Sequence, residues 1–397
     1  MTVTPIDRLI ARNPALPAVF TYGFRPFFLG AALTAALAVP AWLVMFATGT
    51  EPLGPFGGLA WHAHEMIFGY LAAVMAGFVL TAVPNWTGRL PVTGWPLVGL
   101  FSLWIAGRIA TAAVPWAVAA AAVDLAFLFV LAAVVWREIL VGRNYRNAPI
   151  AGLVTLFAAA NLLFHLGAQW PEAFPYAERL AIGVAAVLIG LVGGRIIPSF
   201  TRNWMVKAGL TRLPASFGRF DKITIAITGG AVALWIGLPE APVTGIALLV
   251  AGALHLIRLA RWHGLSTIGE PIVAVLHVGY LWLGVSLMLL GVSAFAPVVT
   301  ATAALHALTA GAIGTMTLAV MTRASLGHTG RPIATDAATA TIYVLVTLGA
   351  LLRVTAPLAA EFYLELLTLG GLLWSAGFGL FAVAYGPILL KPGLGRV

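Results

Sequence analysis

No cysteine occurs in the 397 residues. Disulfides, thiolate-held metals and iron–sulfur clusters are excluded together, so any metal must sit on imidazole, carboxylate, thioether or carbonyl groups. Charge is nearly as scarce. Lys, Arg, Asp and Glu make up 9% of the chain, against about 25% in a soluble domain. With 61% of residues hydrophobic, a water-soluble globule is excluded. Period-two alternation is missing too. The apolar stretches are long and rich in Ala and Leu, which argues against an outer-membrane barrel. What remains is an all-α polytopic membrane protein whose helices close their own backbone hydrogen bonds in lipid.

Apolar runs between breakers give twelve spans, near 24–47, 61–86, 93–114, 117–139, 148–171, 178–198, 222–239, 242–260, 271–293, 299–324, 335–356 and 362–388. Basic residues alternate with them. Arg8 and Arg12 precede span one, and Arg89, Arg143, Arg146, Arg202, Lys207, Arg212, Arg258, Arg261, Arg331, Lys391 and Arg396 follow even-numbered spans. The other loops are nearly free of them, with Arg179 the main exception. The positive-inside rule then predicts an N-in, C-in topology. The N-terminal arm, with Asp7, Arg8 and Arg12, has no apolar region beside it of the kind a cleaved signal needs, and reads as a cytosolic arm. The net charge of +9 is matched to the anionic inner face of a membrane, and nucleic acid is not needed to explain it.

One membrane domain is expected, built from internal repeats over about 20–140, 145–262 and 268–391. Gly69, Gly183 and Gly311, spaced by 114 and 128 residues, align three strings of similar composition. Thr87, Thr201 and Thr329 each follow eighteen residues later, and His64, Glu178 and His306 each precede by five. The chain therefore reads as three four-helix pseudo-repeats with spans two, six and ten equivalent.

The polar residues in these spans carry the chemistry, because hydrocarbon does not solvate them. Trp61-His62-Ala63-His64-Glu65 opens span two. With the predicted topology, His62, His64, Glu65, Asp124, His165, Glu178, His306, Arg108 and Arg353 all lie towards the outer face. Neutral imidazoles on separate helices can ligate a haem iron from its two sides. His64 and His306 are the natural axial pair, and Arg108 and Arg353 suit the propionates. Residues at i and i+2 on a helix are separated by roughly 200°, so His62 and His64 cannot grip one iron. His62 is instead expected to serve a second metal site with His165 or Glu178, holding a second haem or copper.

Other readings fail or stay ordinary. His64-Glu65 begins like H-E-x-x-H, but residue 68 is Phe, so the zincin motif is absent. Gly193-Gly194-Arg195 lacks the spacing of a phosphate loop and reads as close helix packing. Tryptophans at span ends form an interfacial belt. His255, His277 and His328 read as hydrogen-bonded structural residues.

Several strings carry a family resemblance. They are Tyr22-Gly23-Phe24-Arg25-Pro26-Phe27-Phe28, Trp61-His62-Ala63-His64-Glu65-Met66, Thr81-Ala82-Val83-Pro84-Asn85-Trp86-Thr87-Gly88, Gly194-Arg195-Ile196-Ile197-Pro198-Ser199-Phe200-Thr201-Arg202-Asn203, and the stretch from His306 to Pro332. They resemble the NnrS family over nearly the whole chain. That resemblance implies a twelve-span inner-membrane protein of bacteria containing haem, expected to be b-type, and copper, with a role in nitric oxide metabolism and nitrosative stress. A looser likeness links the spans and repeats to the catalytic subunits of haem-copper oxidases and nitric oxide reductases. There the His-x-His pair lies on span ten, whereas here it lies on span two, and the usual copper or non-haem iron ligands of spans six and seven are missing.

The expected protein is thus a haem- and metal-containing membrane protein that binds or reduces nitric oxide, or another small diatomic, with electrons from a separate donor. The competing expectation is a secondary transporter or permease with an intramembrane His/Glu proton relay.

Overall fold

A computed structural model describes residues 16–296 and 298–394. The arm bearing Asp7, Arg8 and Arg12, and Arg396 at the other end, lie outside the described residues. Among the described residues, twelve helices are long and apolar enough to cross a membrane: α1 Phe24–Thr48, α2 Gly58–Thr87, α3 Trp95–Ala113, α4 Ala117–Val141, α5 Tyr145–Leu166, α6 Pro171–Lys207, α7 Arg219–Gly237, α8 Pro242–Ala260, α9 Pro271–Ser293, α10 Ala301–His328, α11 Ala337–Leu358 and α12 Ala360–Leu390. No strand occurs among the described residues. The chain is a multi-pass membrane protein.

Most helix ends fall within a few residues of the sequence reading, and α8 and α9 coincide with it. The largest departure is α6, which continues beyond Pro198 to Lys207. Its last turns carry Arg202, Asn203 and Lys207, so hydropathy falls although the backbone stays helical. Arg258 also departs. Expected as a loop cation after span eight, it lies inside α8, with 0% of its surface exposed.

Two compact units emerge. The first comprises residues up to Ala181 with Ala324–Pro332 and the residues from Ala382 on; the second comprises Ile182–Arg323 and Ile333–Phe381. In the first, α2 is packed by α1, α3 and α4, and α4 in turn by α3 and α5. Phe24, Phe27, Phe28, Phe68, Phe127, Phe157 and Phe164 are fully buried there. Arg25 closes this unit by donating from Nη1 to the carbonyls of Leu389 at 2.9 Å and Lys391 at 2.6 Å. Those carbonyls lie at and just beyond the end of α12, where helical partners run out.

In the second unit α8 lies against α9. A Cβ on Gly252 would sit 2.7 Å from the carbonyl oxygen of Gly284. Lipid is as apolar as Leu, so helices in a membrane gain from such close backbone packing more than from hydrophobic burial.

Three spans widen into π-helical turns: Glu65–Leu71 in α2, Ile189–Gly193 in α6 and Ala307–Ile313 in α10. Such turns leave the regular hydrogen-bond ladder and often mark functional positions. In each, a side chain claims a backbone carbonyl. Trp104 Nε1 donates to Gly69 O at 3.0 Å, Arg258 Nη1 to Gly190 O at 2.6 Å, and Trp374 Nε1 to Ala310 O at 3.1 Å. The π-helical turns of α2 and α10 begin 242 residues apart, the same interval that separates Gly69 from Gly311. The turn in α6 begins ten residues later than the Gly69–Gly183 alignment places it.

The contrast between two glycines tests the packing. Gly252→Ala should lower stability by about 1–3 kcal/mol through overpacking. Gly99→Ala, where an added Cβ meets nothing within 4 Å, should be neutral or stabilising by up to about 1 kcal/mol from helix propensity. Thermal unfolding in detergent checks both.

Candidate metal centre

The centre is assembled from one end of four successive helices of the first unit. His64 and Glu65 lie where the opening turns of α2 pass into its π-helical turn. Arg108 and Thr111 lie near the end of α3, Asp124 early in α4, and Asn161 and His165 near the end of α5. Consecutive helices that reverse direction bring the end of one beside the start of the next, so these positions share a level.

Asp124 Oδ2 is the focus. It lies 3.2 Å from His64 Nε2 and 3.0 Å from His165 Nε2, and accepts from Asn161 Nδ2 at 2.8 Å. His64 Nε2 is also 3.1 Å from Asn161 Oδ1. One ligand atom from each of His64, Asp124 and His165 lies within 4.8 Å of the others. His64 has 0% and Asp124 1% of its surface exposed. Phe56, Phe68 and Phe164 stand around His64 with ring centroids 5.0, 5.3 and 5.3 Å away. The polar atoms therefore converge in a cage of phenyl rings.

Arg108 holds the carboxylates. Nη1 donates to Glu65 Oε1 at 2.8 Å, while Nη2 pairs with Asp124 Oδ1. Thr111 Oγ1 adds a bond to Glu65 Oε1 at 2.9 Å. The approach depends on Gly69, where a Cβ would fall 2.8 Å from Arg108 Nη1. One guanidinium and two carboxylates leave a net charge of −1 when both imidazoles are neutral. A buried unbalanced charge is costly, so the cluster favours either a proton on an imidazole or a bound cation.

The donor set suits a cation. Two imidazoles and a carboxylate are ligands for zinc, copper or iron. Glu65 completes the arrangement. His64 Nδ1 lies 3.3 Å from Glu65 Oε1, and with a metal on Nε2 the Nδ1 proton would be donated to that carboxylate, the usual support of a ligating histidine.

The other expected residues fall elsewhere. His62 stacks on Trp42 with centroids 4.4 Å apart, away from the side that His64 serves. His165, expected beside His62, shares Asp124 with His64. The i, i+2 spacing puts the two histidines on different sides of α2, and the group that could hold a metal lies on the side His64 faces. Glu178 is half-buried and outside the His/Asp/His group. Arg108, expected at a propionate, is committed to Glu65 and Asp124. His64 has partners in the first unit at both ring nitrogens.

His306 and Arg353 belong to the second unit. His306 Nδ1 donates to Thr302 O at 2.8 Å. A carbonyl only accepts, so this bond places the imidazole lone pair on Nε2. Arg353 Nη1 is buried without a hydrogen-bond partner, and the opening turns of α10 pack against α11, which carries it. An imidazole and an orphaned guanidinium donor on neighbouring helices fit an axial ligand and a propionate partner of haem.

Two contributors were not expected from sequence: Asn161 and Thr111. Asn161 precedes His165 by four residues and Thr111 follows Arg108 by three, so each shares a helix face with a residue already singled out.

A sequence family described as NnrS protein matches residues 18–392. The chain belongs to the NnrS family. No curated protein matches the chain. NnrS proteins are associated with nitric oxide metabolism and linked to metal or haem binding, and the buried His64–Asp124–His165 group gives this NnrS chain a place that could hold a metal.

Charge pairing in the cluster is open to test. Arg108→Leu should destabilise the protein by about 3–5 kcal/mol, because two buried carboxylates lose their shared cation. Arg108→Leu with Glu65→Leu should recover part of that loss. Thermal unfolding of the single and double variants measures the coupling, and equal unfolding temperatures for wild type and Arg108→Leu would contradict it.

Proposed function

We propose that this NnrS protein is a redox metalloprotein of the bacterial inner membrane that binds nitric oxide and lowers nitrosative stress. The observation that carries the reading is the enclosed His64–Asp124–His165 group, which is rich in metal ligands and short of one positive charge. Nitric oxide is small and uncharged, so it can enter an apolar cage of phenyl rings. A redox metal bound there supplies a coordination position for the ligand and an electron to exchange with it.

The protein's own groups perform the remaining tasks. His64, His165 and Asp124 would hold the metal. Glu65 orients His64 and takes its Nδ1 proton in a hydrogen bond, while Arg108 and Thr111 keep Glu65 in place. Phe56, Phe68 and Phe164 keep water away, which strengthens every charge interaction inside. In the second unit, His306 and Arg353 are the candidates for binding a b-type haem. The predicted topology puts both sets towards the outer face. Electrons come from a separate donor, and reduction of nitric oxide is the reaction that a haem and a second metal together would allow.

Optical spectra, metal analysis and nitric oxide titration of the purified full chain test this. The wild type should show a haem Soret band and bind a second metal. His306→Ala should lose the haem signal. Asp124→Asn and His165→Ala should lose the second metal and nitric oxide binding while keeping the haem. A correctly folded protein that carries neither haem nor metal, and shows proton-coupled solute flux in vesicles, would replace this reading with a transporter.

A further inference from the structure

The second unit contains a polar chain that the proposed metal chemistry does not use. Arg258 on α8 donates through Nε to Asp221 Oδ1 at 2.5 Å and through Nη1 to the hydroxyl oxygen of Tyr280 at 2.8 Å. Tyr280 lies 2.7 Å from His255 Nδ1, and His255 Nε2 lies 2.9 Å from Thr228 Oγ1. Thr228 Oγ1 in turn donates to Thr224 O at 2.8 Å. Arg258, Tyr280, His255 and Thr228 are all fully buried.

The bonds have a single consistent direction. A guanidinium cannot accept, so Tyr280 oxygen accepts from Arg258 and its own proton goes to His255 Nδ1. The Thr228 proton is used on the Thr224 carbonyl, so Thr228 oxygen accepts from His255 Nε2–H. His255 is thereby assigned as the neutral imidazole with its proton on Nε2 and its lone pair aimed at the phenol.

We propose that Tyr280 and His255 form a proton-coupled one-electron redox pair. Oxidation of the phenol removes one electron, and its O–H bond breaks as the proton crosses to His255 Nδ1. The products are a neutral tyrosyl radical and an imidazolium; the oxidant gains the electron. Both imidazolium N–H groups then have acceptors, the tyrosyl oxygen at Nδ1 and Thr228 Oγ1 at Nε2. The tyrosyl oxygen keeps the Arg258 hydrogen bond. The proton can thus rest at either end with an acceptor for every N–H of His255.

The surroundings suit that chemistry. Asp221 neutralises Arg258, so the cluster is uncharged before oxidation. Trp262, also fully buried, lies edge-on to Tyr280 with ring centroids 4.6 Å apart and provides an aromatic neighbour for electron passage. The chain has no cysteine to quench the radical. Nitrogen dioxide, an apolar one-electron oxidant that becomes nitrite, is the natural class of oxidant. That assignment rests on the nitric oxide reading, whereas the chemistry of the pair does not.

The experiment uses the full-length protein in lipid nanodiscs and a photogenerated ruthenium(III) polypyridyl complex as oxidant. Electron paramagnetic resonance should show a neutral tyrosyl radical that forms more slowly in D2O. Tyr280→Phe should lose that signal. His255→Gln should lose the isotope effect and most of the radical yield. An unchanged signal in Tyr280→Phe, or radical formation in the wild type that is insensitive to D2O, would overturn the proposal, and neither result depends on His255→Gln folding. Because the probe oxidant is synthetic, failure here leaves the nitric oxide reading standing, and failure of that reading leaves this result intact.

Discussion

The fork of Arg108 between Glu65 and Asp124 is the interaction on which the first unit depends. Each carboxylate alone would be costly when buried in a membrane-spanning helix. Shared on one guanidinium, the two bind α2, α3 and α4 into a fixed arrangement. The pairing through Oδ1 also turns Asp124 so that Oδ2 faces His64, Asn161 and His165. The ion pair thus builds the candidate centre as well as the fold around it, and its incomplete neutralisation would favour a bound positive charge.

The same constraint governs the backbone. A π-helical turn displaces carbonyls from the helical ladder, and a displaced carbonyl inside a membrane protein needs another donor. Here the donors are Trp104, Arg258 and Trp374, each on a neighbouring span of its own unit. A helix irregularity is therefore also a tertiary contact. In α2 the irregularity starts at Glu65, directly after His64, so the turn that widens the helix also positions the candidate centre.

The class, the span count and most span ends were legible from hydropathy because lipid imposes a single length and polarity on every helix. The exceptions have physical causes. The helix beyond Pro198 is amphipathic, so hydropathy ended α6 too early. Arg258 looked like a loop cation because its partner, Asp221, is 37 residues away on another helix. At the site, helix geometry separated His62 from His64, but azimuth alone did not say which of the two faced His165. That needed α2 to be placed against α5 through Phe68, Phe157 and Phe164. Asp124 was noticed as one of several polar groups at a common level, yet its role as the shared acceptor depends on Asn161, whose amide carried no signal without its neighbours.

The two buried polar centres differ in one respect that decides their chemistry. Around His64 and His165 the fixed charges sum to −1, and several atoms converge on one point, so the missing positive charge can be supplied by an ion held in common. Around His255 and Tyr280 the fixed charges of Arg258 and Asp221 cancel, and the groups form a line. A neutral line has no use for a cation. What it could change is the position of a proton, which in the proposed pair would move from Tyr280 to His255 when an electron leaves. On these proposals the same few residue types would serve two kinds of chemistry, a binding site where charge is left over and a redox relay where it is balanced.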